Sequence, residues 1–160
     1  MLYFKQITCD NLSTDTIENA IRHYSSKRHT SLDFKDSSSY ITDDNYFLGL
    51  EGENDLKITR IRTLFESFLP KLIISFPKER HFEIYRIRYS LPSTIVFCVL
   101  LFGVLLSIFQ LLVDKEIEND YLLLIGIFIL FIVLTLLEIK LTKQKINRAI
   151  NRFNKPAINA

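Results

Sequence analysis

A chain of 160 residues, 48% hydrophobic and with a formal net charge of +2, has room for one ordinary domain or for a smaller one joined to membrane segments. Its 20 basic and 18 acidic residues nearly balance, which argues against a nucleic-acid-binding field. Its two cysteines, one in a polar region and one in an apolar run, exclude a disulfide framework.

The first residues contain no charged region followed by an apolar stretch of useful length, and no small-residue lipidation site precedes Cys9, so no signal peptide is expected. Residues 2–9 are rich in aromatic and β-branched types and predict a strand that Asp10 and Asn11 end. Ser13 suits a helix N-cap and Leu12 a staple onto Ile17. Ile17, Ala20, Ile21 and Tyr24 then recur at helical spacing as one apolar stripe. Residues 25–39 are polar and turn-like, with a short strand suggested around Leu32 and Phe34.

Two hairpins follow. Residues 46–51 and 56–63 flank the turn at Gly52, Glu53, Asn54 and Asp55, and residues 71–76 and 82–89 flank a second turn at Pro77 to Arg80. In the last strand Glu83, Tyr85, Ile87 and Tyr89 share one face, and Phe82, Ile84, Arg86 and Arg88 the other. Residues 64–70 are expected to add Leu64, Phe65, Phe68 and Leu69 to the core, since a small domain needs its large side chains there; contact with a membrane surface is the alternative. Residues 1–88 thus predict a cytoplasmic α+β domain of one helix on a four- or five-stranded antiparallel sheet.

Residues 89–113 contain no Asp, Glu, Lys or Arg, enough helix to cross a hydrocarbon core of about 30 Å. Residues 121–137 form a second such run, which Glu138 extends to 139 by reaching to the headgroup level. Two core helices of a soluble protein are the alternative, but the polar residues left over are too few to cover them. The linker 114–120 carries four acids and one Lys, too short for anything but an antiparallel hairpin. Basic residues flank the hairpin on its other side, which predicts an inner-membrane protein with both termini cytoplasmic.

Residues 140–160 begin as an amphipathic cationic helix that continues the second span and stops before Pro156. Its apolar residues fall at 146, 149, 150 and 153, with bases on the other face. Arg86, Arg88, Lys140, Lys143, Lys145, Arg148 and Arg152 are the candidate contacts with anionic headgroups. Glu138 is the candidate interfacial charge, neutralised by Arg88 or Lys140. Gly103 and Ser107 form a small-xxx-small pair that favours close approach of the two spans.

The run from Asp55 to Arg62, then Phe65-Glu-Ser-Phe-Leu-Pro70, then Phe82-Glu-Ile-Tyr-Arg-Ile-Arg88 before an apolar span, resembles an uncharacterised family of small bacterial membrane proteins. Its members carry an N-terminal α+β domain and two transmembrane helices. The resemblance covers roughly residues 46–140, with Glu66 where the family has Asn and no Gly after the Pro. It implies architecture and no activity.

Catalytic sets are not found. His23, His29 and His81 have no ligand spacing, the acids from Glu51 to Asp55 fail the EF-hand pattern, and only Gly49 and Gly52 lie outside the spans, which leaves no phosphate-cradling loop. Lys57, Arg60, Arg62, Arg86 and Arg88 fall on strands, but residues 1–90 hold 13 basic and 13 acidic side chains, which speaks against a nucleic-acid surface. The expectation is a non-enzymatic, cofactor-free interaction module anchored in the membrane, bound to an unknown protein partner or to its own copies. Alternatives are an immunity or defence-associated factor and an oligomeric channel or transporter subunit.

Overall fold

The structure is a computed structural model that describes residues 5–8, 14–28, 30–34, 45–63, 65–78, 84–114 and 119–154. In chain order these form β1 (Lys5–Thr8), α1 (Thr14–His23), β2 (Ser25–Arg28), β3 (Phe47–Glu51), β4 (Asp55–Arg60), a 3-10 turn (Phe65–Phe68), β5 (Leu72–Pro77), β6 (Ile84–Tyr89), α2 (Leu91–Asp114) and α3 (Asn119–Phe153). The proposed cap at Ser13 and staple at Leu12 lie outside the described residues.

Five strands in the order β6-β5-β4-β3-β2 make one sheet, which the short β1 extends at the β6 edge. Both expected hairpins are present, with Gly49 opposite Ile58 in the first and Ile74 opposite Ile87 in the second. The Gly52 N–H donates to the Asp55 carbonyl at 2.8 Å and closes the first turn.

The sheet is mixed rather than wholly antiparallel, because β2 lies parallel to β3 along the far edge. That strand falls in the segment expected to be turn-like, and Leu32 and Phe34 form none. Its sequence, Ser-Ser-Lys-Arg, has no apolar alternation because an edge strand is only partly covered. Its position is fixed from outside: the Tyr24 carbonyl accepts from the N–H groups of Tyr46 and Phe47 at 2.9 and 3.2 Å, bringing the start of β2 beside β3.

Period-two alternation divides the sheet into two faces. Phe47, Leu56, Ile58, Leu72, Ile74, Phe76, Tyr85 and Ile87 form the main core with the predicted α1 stripe of Ile17, Ala20, Ile21 and Tyr24. Ile139, Ile146, Ala149 and Ile150 of α3 complete it. The apolar side of the basic C-terminal helix is therefore occupied by the sheet domain. Each of those three buried isoleucines contributes about 1.5–3 kcal/mol, and the tail is a structural part of the domain. On the opposite face Leu32, Leu48 and Ile73 make a smaller cluster with Leu50 and Ile61.

Both long helices are long and apolar enough to cross a bilayer. Large apolar side chains along them, among them Phe102, Phe109, Leu123 and Leu130, are more than half exposed. Where the two helices pack, a Cβ at Gly103 would stand 3.0 Å from Leu124 Cδ1, so glycine is what allows that approach. Ser107, one turn on, is buried and donates to the Gly103 carbonyl at 2.9 Å.

Candidate functional site

The chemically distinctive region lies where the sheet domain meets the hairpin. Strand β6 runs directly into α2, and the Ser90 N–H donates to the Lys71 carbonyl at 2.9 Å, which sets the start of β5 beside the start of α2. The end of β4 and the loop 61–71 belong to this same end, since β4 pairs antiparallel with β5.

Besides the Lys71 N–H, which donates to Ser93 Oγ at 2.9 Å, three sets of polar contacts among the described residues fasten the domain to the helices here. Arg60 shares the sheet face of Leu56 and Ile58, which points its guanidinium under α3. It grips Glu138 through two parallel bonds, Nε to Oε1 at 3.2 Å and Nη2 to Oε2 at 2.7 Å, while Nη1 reaches Glu66 at 2.8 Å. The Arg60 and Glu138 side chains are 1% and 2% exposed, so the two-pronged geometry has to compensate for desolvating both charges. Burial works against the charge on Arg60, but the two carboxylates outweigh it and raise its pKa. Glu66 in turn accepts the Thr63 N–H at 2.9 Å. Desolvation pushes its carboxyl up, and that bond together with Arg60 brings it below its ordinary range.

Second, Arg88 donates through both terminal nitrogens to Asp33 at 3.0 and 3.2 Å, and Asp33 also accepts the Leu91 N–H at 2.9 Å, capping the start of α2. Burial raises the Asp33 carboxyl, yet Arg88, the Leu91 amide and Ser31 together hold it below the usual carboxylate range. Third, the Tyr89 hydroxyl donates to Thr135 Oγ1 at 3.0 Å, tying β6 to α3.

A comparison with family models, curated proteins and solved structures finds no match.

Arg88 is buried beneath Asp33 and is not a surface cation. Arg86 is half-buried on the sheet face away from the main core. Lys140, Lys143 and Arg148 are exposed on α3. Lys145 and Arg152 instead hold the helix to the domain: Lys145 Nζ lies 5.1 Å from the Tyr46 ring centre, and Arg152 donates to the Tyr46 hydroxyl at 2.9 Å. Glu138 is matched by Arg60, not by Arg88 or Lys140. Its partner stands 78 positions away, and the available signal was the alternation that puts residue 60 on the core face at the end of β4.

Phe65 and Phe68 are 91% and 83% exposed, which overturns their expected place in the core. A turn of only four residues, fixed by Glu66 to Arg60 and to Thr63, leaves both aromatic rings outside.

Two of the acids around the first turn, Glu51 and Asp55, are engaged with cations, Asp55 with Lys57 at 3.5 Å. Glu51 pairs with Arg22 at 2.6 Å and Lys78 at 2.8 Å, and the Arg22 contact chiefly lowers its carboxyl to about 2. Among the described residues no group of three or more His, Cys, Asp or Glu is placed to hold a metal ion. His23 is exposed against Tyr24 and Phe153, and His29 and His81 lie outside the described residues.

Proposed function

We propose that this chain is a two-pass membrane protein whose sheet domain is a non-catalytic interaction module, held at the cytoplasmic face of the inner membrane and binding a protein partner or a second copy. The observation that supports this most directly is the single unbroken helix α3, whose first half exposes Leu122, Leu123, Ile129 and Leu136 while its second half buries Ile146, Ala149 and Ile150 in the domain core. A helix of that composition is at home with one half in lipid and the other in protein. The Arg60–Glu138 pair sits between the two halves and makes the attachment rigid. A rigid attachment presents the sheet domain to partners in one fixed orientation.

Cys98 lies on α2 and is exposed, which gives a direct test. In sealed vesicles bearing the full chain with Cys9 replaced by Ser, a charged, membrane-impermeant maleimide should leave Cys98 unlabelled until detergent is added. A cysteine placed at Ala160 should be reactive from the cytoplasmic side. Crosslinking in the same membranes should return a stoichiometric partner or a self-contact. Ready labelling of Cys98, extraction by carbonate, or no stoichiometric crosslink would each overturn the reading.

A further inference from the structure

Between the loop 61–71 and the start of α2 lies a cavity of about 210 Å³, below the roughly 300–1,000 Å³ of pockets for drug-sized ligands. Its wall includes two cationic side chains, Arg62 and Lys71, and three serines, Ser67, Ser90 and Ser93. Asp33 also lines it, with its carboxylate bonded to Arg88, and Arg62 spends Nη1 on the Leu69 carbonyl at 2.6 Å, which fixes its planar guanidinium at the wall. Arg62 and Lys71 are 6% and 8% exposed. Cations and hydroxyls converging on a small space are the chemistry that binds a phosphate oxygen.

Apolar groups flank the same cavity. Phe34, 73% exposed, is part of the wall, and Phe68 stands between Ser67 and Leu69, both of which line it. With Phe65 these rings place three exposed aromatics at the end of the domain where the apolar surface of α2 begins. Water gives no reason to present three phenylalanines there, whereas the headgroup region of a bilayer does. A phosphate site with aromatics beside it, continuous with a lipid-exposed helix, matches one ligand: a phospholipid with an anionic head and its chains alongside α2.

We propose that this cavity binds the phosphate headgroup of an anionic phospholipid, with Phe65 and Phe68 embedded among the acyl chains beside it. The proposal rests on the membrane reading above, and it assigns headgroup recognition to Arg62 and Lys71 rather than to the exposed bases of α3.

The sequence contains no tryptophan, so Phe68→Trp at an exposed position supplies a single fluorescent reporter without disturbing the core. The full chain carrying it is reconstituted in phosphatidylcholine vesicles with a minor fraction of phosphatidylglycerol, and the bromines are placed on one lipid or the other. Tryptophan emission should be blue-shifted and quenched by brominated chains. Brominated phosphatidylglycerol should quench beyond its share of the bilayer, with each cation contributing roughly fivefold to the enrichment. K71Q and R62Q should each reduce that enrichment and K71R should retain it, while K140Q/K143Q/R148Q leaves it in place. Inorganic phosphate should not compete.

Emission typical of water without quenching, in a chain that resists carbonate extraction, would overturn the proposal and leave the membrane reading intact. Equal quenching by the two lipids, enrichment insensitive to Arg62 and Lys71, or displacement by inorganic phosphate would also overturn it. Loss of the chain from the vesicles on carbonate treatment would overturn both readings.

Discussion

Replacing Glu138 by Leu strips the counter-charge from a guanidinium whose side chain is 1% exposed. Removing one member of a buried ion pair costs about 3–5 kcal/mol, because the partner is left in a poorly solvating environment. Arg60 keeps its bond to Glu66 at 2.8 Å, whose side chain is 29% exposed and reaches solvent. The expected loss therefore falls at the lower end, about 3 kcal/mol. Replacing Arg60 by Met alone should cost a similar amount by stranding Glu138. The double variant R60M/E138L exchanges the pair for apolar side chains of comparable size and should recover most of the loss. Denaturant unfolding of the full chain in mild detergent, followed by circular dichroism, measures all three. A double variant as unstable as the two single ones combined, or a loss below about 1 kcal/mol for E138L, would refute the claim that this contact joins α3 to the sheet.

Ile146→Ala and Ile150→Ala should each destabilise the domain by about 2–5 kcal/mol in the same unfolding assay, whereas K140Q, K143Q and R148Q should each stay within about 0.5 kcal/mol. Gly103→Leu should push α2 from α3, which crosslinking between cysteines introduced at 103-flanking positions and at Leu124 would register as a lower yield. Stability should fall as the solution is acidified through the ordinary carboxylate range. Asp33 and Glu51 both have folded pKa values below their unfolded ones, so their contribution is complete above roughly pH 4.5 and is lost as pH drops, for Glu51 towards about 2. In D33N the acid-side slope should become shallower, and an unchanged slope would show that Asp33 is not responsible.

Elements whose reason for existing is local were legible in the sequence. The stripe from Ile17 to Tyr24, the two hairpins and the two apolar runs announce themselves through spacing and composition, and each is found at nearly the expected bounds. Features decided by distant partners were not. Strand β2 is polar and lies parallel to β3 only because Tyr24 and the edge of the sheet place it there. The stripe at 146, 149, 150 and 153 fits a lipid surface and a protein core equally well by periodicity, and only the sheet shows which surface it covers. Phe65 and Phe68 have the composition of core residues, and the short bonded turn around Glu66 keeps them out. Of the residues singled out as surface cations, Arg88 carried a warning in its alternation with Ile87, since a strand covered on both faces cannot leave a charge free without a partner such as Asp33.

At about 1.5 Å per residue, the 35 residues of α3 make a rod of roughly 52 Å, of which some 22 Å extends past Glu138. In the placement proposed above, with its lower part in a bilayer, such a rod would be a lever. A change in hydrocarbon thickness that tilts it by about 10° swings Phe153, and the sheet clamped beside it, through roughly 4 Å. A flexible tether would absorb that motion, and this joint transmits it.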